Sequence, residues 1–170
     1  QNETETWNGS NWTEVNNLNT ARFGLAGCGT TTAALAFGGK TEPPALAPYW
    51  KVETESYNGS NWTEVSDMNL SRLNLAGAGT STSALAFGGE PPSPTFGGAP
   101  NTGQTELWNG SNWTEVNDLS LKKTLLGGCG ASNTSALAFG GQPSDQAGRT
   151  ESWNGTNWTT VGSLKIGRAS

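Results

Sequence analysis

The sequence predicts an all-β protein of tandem units, each of four short antiparallel strands, with about three and a half units in the chain. Three observations carry this. Trp7-Asn-Gly-Ser-Asn-Trp12-Thr-Glu-Val15 returns at Tyr57–Val65, Trp108–Val116 and Trp153–Val161, the starts lying 50, 51 and 45 residues apart. Ala34-Leu-Ala-Phe37, Ala84-Leu-Ala-Phe87 and Ala136-Leu-Ala-Phe139 alternate small and large side chains with the period of a strand, and each precedes a Gly-Gly pair. Finally, 24 glycines and a hydrophobic content of 33% argue against a helical bundle, because each glycine costs a helix about 1 kcal/mol relative to alanine.

The chain opens on a hairpin, residues 4–15, whose Asn-Gly pair supplies the positive φ of a tight turn. A polar connector, 16–22, follows with one apolar anchor, Leu18; its equivalents carry Met68, Leu119 and Leu164. Phe23–Gly29 is then a small-residue strand, Thr30–Thr32 a turn, and Ala33–Phe37 a second strand. Leu73–Gly79 and Thr124–Gly130 open the next two units in the same way, the third with one extra turn residue. Residues 40–51, 90–103 and 142–149 hold the prolines, differ between units and read as loops. The result is a single repetitive domain, 1–170. Its parts are the outer hairpin of an incomplete unit (1–16), full units at 22–65, 72–116 and 123–161, and the start of another at 162–170.

Composition excludes several function classes. The net charge is −5 with no histidine, and nine scattered Lys and Arg do not form the positive face that nucleic acid needs. No run of 18 apolar residues is present to span a membrane. The chain starts at Gln1 without a signal-peptide pattern, so it reads as excised or processed at the front. Cys28 and Cys129 occupy matched positions two units apart, where unit two has Ala78, and are expected as two buried thiols rather than a disulfide.

The set Arg22…Gly38-Gly39…Glu55-Ser-Tyr57…Trp62 and Arg72…Gly88-Gly89…Glu106-Leu-Trp108…Trp113 resembles the kelch repeat over nearly the whole chain. The two aromatics stand closer together than usual, Trp often replaces the third-strand Tyr, and Lys123 takes the place of an Arg. The resemblance implies a β-propeller segment whose first strands lie innermost, so that Gly27–Gly29 and Gly77–Gly79 suit a crowded axis and the Trp residues wedge between blades. It also leaves the ring incomplete, to be closed by a longer parent chain or by self-assembly of copies. The repeated Glu5, Glu55, Glu106 and Glu151 and the repeated cations Arg22, Arg72, Lys123 and Arg168 are expected to pair, partly buried, and link adjacent units.

An enzyme is not expected. Without histidine, neither a His-assisted nucleophile nor a typical zinc site can be built, and the copper oxidases on similar propellers need His and Tyr ligands, whereas the only tyrosines here are Tyr49 and Tyr57. No cofactor or metal is implied. Strand alternation puts the variable loops on one face, with the unrepeated aromatics Tyr49, Trp50 and Phe96 as candidate contacts for a protein partner or host-surface receptor. The opposite face carries Asn8, Asn11, Asn58, Asn61, Asn109 and Asn112, amides that with nearby Trp suit a glycan. Their Asn-x-Ser/Thr triplets are part of the turn sequence, and turn chemistry accounts for them. Low-charge repeats copied this faithfully resemble those of long surface or virion proteins, marine-phage tail-fibre types in particular. The expected function is therefore a structural and adhesive module of a virion appendage or extracellular assembly. A carbohydrate-binding propeller and an intracellular scaffold are the alternatives.

Overall fold

The computed structural model of the chain describes residues 2–42, 49–92, 101–143, 145 and 147–165. Fourteen strands are formed among them: β1 (Thr4–Trp7), β2 (Trp12–Val15), β3 (Ala26–Thr30), β4 (Ala33–Phe37), β5 (Thr54–Tyr57), β6 (Trp62–Val65) and β7 (Ala76–Thr80) come first. They are followed by β8 (Ser83–Phe87), β9 (Thr105–Trp108), β10 (Trp113–Val116), β11 (Thr124–Ser132), β12 (Ser135–Gln142), β13 (Thr150–Trp153) and β14 (Trp158–Val161). A two-stranded sheet, β1-β2, precedes three four-stranded antiparallel sheets, β3-β4-β5-β6, β7-β8-β9-β10 and β11-β12-β13-β14. This is the all-β, blade-like arrangement of about three and a half units that the repeats predict.

Each Asn-Gly hairpin is present, but its loop is four residues long rather than two. Trp7 pairs with Trp12, Tyr57 with Trp62, Trp108 with Trp113 and Trp153 with Trp158 across the strands. Asn8 N–H donates to Asn11 C=O at 3.2 Å to close the first loop, and only the glycine, Gly9 at φ 98°, takes a positive φ. A two-residue turn of the Asn-Gly kind would need both central residues there. In the first two full units the first strand also starts later than the sequence implies, because Gly24 at φ 61° and Asn74 at φ 55° bend the chain, leaving Phe23 and Leu73 in isolated bridges to Lys40 and Glu90, whereas in the third it starts at Thr124 as expected.

The alternation in Ala-Leu-Ala-Phe does separate large from small residues, and in the middle blade both faces are buried, because a full blade stands on either side. Leu35 and Phe37 of the first blade pack on Ala84 and Ala86 of the second, and Leu85 and Phe87 of the second on Ala136 and Ala138 of the third. A large-residue face thus meets a small-residue face at every junction. The tryptophans complete these junctions. Trp113 lies edge-on to Phe37 at 5.0 Å and Trp158 to Phe87 at 4.9 Å, favourable geometry for ring quadrupoles. Every one of these indoles also finds an acceptor, as a buried N–H requires: Trp113 Nε1 donates to Thr54 Oγ1 and Trp158 Nε1 to Thr105 Oγ1. Trp7 and Trp12, expected to be wedged between blades like the others, are instead 43% and 64% exposed, since Trp7 has no inner turn of its own unit beside it and Trp12 faces no other blade of this chain.

Neighbouring first strands approach so closely that glycine is required. A Cβ on Gly128 would lie 2.6 Å from the Phe87 ring and 2.8 Å from the Gly77 carbonyl oxygen. Because the second neighbour is backbone, it cannot swing aside. Gly128→Ala is therefore expected to lower stability by about 1–3 kcal/mol, read as a drop in the urea midpoint at unchanged slope.

The repeated charges form a second set of joints. Arg22 pairs with Glu55 and Arg72 with Glu106, each at 3.0 Å and fully buried rather than partly so. Each pair joins the segment leading into a blade to that blade's third strand; the tie to the preceding unit comes from the other carboxylate oxygen. Glu55 Oε2 accepts from the backbone and side-chain N–H groups of Asn19, in the connector that arrives from β2, and Glu106 Oε2 does the same for Asn69. In the third blade Lys123 does not reach Glu151: its Nζ donates to the Arg149 carbonyl at 2.6 Å, and Glu151 accepts from Ser120 and Leu121. Burial lowers the Lys123 pKa, with Glu151 opposing the shift. Glu5 is exposed, without an ion pair among the described residues, and Arg168 lies outside them.

Candidate functional site

The four-stranded meander sends loops alternately to two faces. Gly59, Gly110 and Gly155 of the hairpins sit against Thr32, Thr82 and Thr134 of the inner turns, so the Asn-rich hairpins and Thr-rich turns share one face. The variable loops and unit connectors share the other, where Met68 N–H bonds the Val52 carbonyl and Leu119 N–H the Gly103 carbonyl.

On the loop face, the Gly38-Gly39 pair turns the chain out of β4, and residues 49–51 bring it back. Thr41 N–H donates to the Tyr49 carbonyl at 2.8 Å and Lys51 N–H to the Gly39 carbonyl at 2.9 Å. Trp50 lies beneath Lys40, whose ammonium is 4.2 Å from the ring centroid, a cation–π contact worth about 0.5–1 kcal/mol at a partly open site. Lys51 pairs with Glu53 at 3.1 Å. Burial pushes the Glu53 carboxyl up, but its own backbone N–H, Lys51 and Arg22 outweigh this and hold it below the usual range. Tyr49 and Trp50 are thus adjacent, half-buried residues at a loop base. Phe96, the third aromatic of this set, lies outside the described residues. The second and third loops touch each other through Asn101 Nδ2, which donates to the Gln142 carbonyl at 3.1 Å.

On the hairpin face the asparagines divide by role. Asn8, Asn58 and Asn109 each use Oδ1 to accept two backbone N–H groups of their own loop at 2.9 Å, the Asx-turn chemistry that places asparagine there. Their carbonyls are therefore committed to structure, while their amide N–H groups face outward. Asn61 Oδ1 accepts from Asn16 Nδ2 of the preceding unit, whereas Asn11 and Asn112 are exposed. Trp108, Trp113, Trp153 and Trp158 are buried between blades, so among the described residues the exposed indoles beside these asparagines are Trp7 and Trp12 of the first hairpin.

Two clefts occur beside β1–β2 that the sequence did not point to as sites. The outer one, about 220 Å³, is walled by Trp7, Trp12, Tyr57 and Trp62. The inner, about 500 Å³, runs along Gly27, Cys28, Gly29, Ala34 and Ala36 of the first full blade. Both follow from an outer hairpin that has no inner strands, which the strand count already implied. Cys28 is half-buried and Cys129 exposed, so the thiols are free as expected but not both buried. Desolvation pushes Cys28 up to about 12, which keeps it protonated and unreactive at neutral pH. Among the described residues no cluster of three His, Cys, Asp or Glu is placed to hold a metal, and no helix is long and apolar enough to cross a membrane. No protein-family model matches the chain and no curated protein matches its sequence, which leaves blade geometry as the basis for a functional reading.

Proposed function

We propose that the chain is a non-enzymatic structural and adhesive module, a kelch-like propeller segment of a virion appendage or other extracellular assembly, which holds a protein partner or surface receptor through its variable loops. One observation carries this reading. Apart from the Lys123 and Glu151 positions, the blades repeat one another's hydrogen bonds closely, while the segments 40–51, 90–103 and 142–149, whose described ends leave and re-enter one face of the blades, differ in length and sequence. Recognition is characteristically placed on such loops because the frame holds them while their sequence is free to vary. Tyr49 and Trp50 supply rigid aromatic area with few rotamers to freeze, which suits them to anchor a contact. Biolayer interferometry of the chain against purified appendage proteins and cell-envelope fractions tests it. Binding should fall at least about thirtyfold in Tyr49→Ala/Trp50→Ala while the melting temperature stays within a few degrees; binding indifferent to the loops rules the reading out.

A carbohydrate-binding function is the second reading, favoured by the Trp7/Trp12 cleft beside outward-facing asparagine amides. A glycan array separates the two. Sugar binding that disappears in Trp7→Ala or Asn11→Ala would replace the loop-face reading.

A further inference from the structure

Consecutive units meet through a repeated indole–threonine bond, joined at the two junctions between full blades by a phenylalanine contact. The indole of a fourth strand donates to the threonine opening the third strand of the unit before: Trp62 to Thr4, Trp113 to Thr54 and Trp158 to Thr105, at 3.1, 2.9 and 3.0 Å. The phenylalanine of the earlier unit's second strand packs edge-on against the same indole, Phe37 on Trp113 and Phe87 on Trp158. The two ends of the array carry the unmatched halves of this joint. At one end Trp12, the matching indole, is exposed, and none of its hydrogen-bonding capacity is used among the described residues. At the other, Thr150 Oγ1 is buried with no hydrogen-bond partner, although its three counterparts all have one. Around it the large-residue face is open: Leu137 is 39% exposed and Phe139 half-buried, where Leu35, Phe37, Leu85 and Phe87 are fully covered.

We propose that copies of this chain associate head to tail, the β1–β2 hairpin of one stacking on the open face of the last blade of another. Trp12 Nε1 then donates to Thr150 Oγ1 of the second copy, and its ring lies edge-on to Phe139, reproducing the internal joint. A second copy is the occupant because the two halves fit each other by the indole–threonine bond that three internal junctions share and the phenylalanine contact that two of them add, and because Trp12 remains uncovered within a single chain. Such a contact is heterologous, so each copy has one half left over unless the association closes on itself. A buried threonine oxygen without a donor is unfavourable, and the indole relieves it while covering apolar surface on both sides. This inference stands apart from the loop-face reading and uses neither Tyr49 nor Trp50.

Sedimentation velocity of the 170-residue chain over about a hundredfold range of concentration tests it. Reversible association that grows with concentration is expected. Trp12→Ala and Leu137→Glu should each weaken it by about thirtyfold or more, and Thr150→Val by about tenfold. Because Trp12 and Leu137 are exposed in the single chain, both of their variants should keep the parent melting curve, which separates lost association from lost folding. A chain that stays monomeric throughout, or an association unmoved by Trp12→Ala, overturns the proposal. So does a monomer in which Trp12 resists oxidation by N-bromosuccinimide, since the joint would then form within one polypeptide.

Discussion

Glu106→Ala is expected to lower stability by about 3–5 kcal/mol, because it leaves the Arg72 guanidinium buried without its counter-charge. The carboxylate does more than pair. One oxygen takes Arg72 at 3.0 Å and the Leu70 N–H, and the other takes the backbone and side-chain N–H groups of Asn69, so four donors lose their acceptor at once. Arg72 itself also binds the Gly88 and Gln104 carbonyls, which prevents it from swinging out to water. Glu106→Gln keeps the volume but presents an amide to a guanidinium, and it should recover only part of the loss. Glu5→Ala provides the internal comparison. The residue holds the same place in its repeat but is exposed, so the change should stay within about 0.5 kcal/mol. Urea unfolding followed by far-ultraviolet circular dichroism measures all three; equal midpoint shifts for Glu106→Ala and Glu5→Ala would show that the buried pair is not a joint.

Trp113→Ala should have an effect of similar size, about 3–5 kcal/mol for truncating a buried aromatic. Its ring touches Phe37 of the preceding blade and Trp108 across its own hairpin, at 5.0 and 5.3 Å, and its N–H satisfies Thr54. Losing it opens a cavity at the junction between two blades, and in a stacked array the junction term carries much of the stability. Trp113→Phe would keep the edge-on contact and forfeit the hydrogen bond, about 1 kcal/mol. Trp12→Ala, in the identical sequence context, should leave the melting curve of the single chain nearly unmoved. Thermal unfolding of the three variants decides whether the indoles act as wedges.

The repeat period, the hairpins, the glycine-crowded first strands and two of the four expected cation–Glu pairs, Arg22–Glu55 and Arg72–Glu106, were legible in the residues, whereas Lys123 does not reach Glu151 and Glu5 has no ion pair among the described residues. The candidate contacts fared unevenly. Tyr49 and Trp50 are brought together at a loop base as their adjacency implied, but of the hairpin indoles expected beside the asparagine amides Trp108, Trp113, Trp153 and Trp158 are buried between blades, and Trp7 and Trp12 are exposed. The four-residue loop was also missed, because Asn-Gly fits a two-residue turn equally well. What separates the two is the Asn8 Oδ1 contacts to Ser10 and Asn11, which appear only when the loop is built.

By itself the sequence determined most of what near neighbours along the chain set: strand against helix from the two-residue period, the positions of turns from glycine and asparagine, and the unit from its recurrence. It could not determine what happens to equivalent residues in equivalent words. Trp7 and Trp108 begin the same hairpin sequence, yet one is 43% exposed and the other 2%. Burial depends on which blade stands alongside, so only the tertiary structure decided that the junctions between full blades are filled while the one beside the first hairpin keeps its clefts.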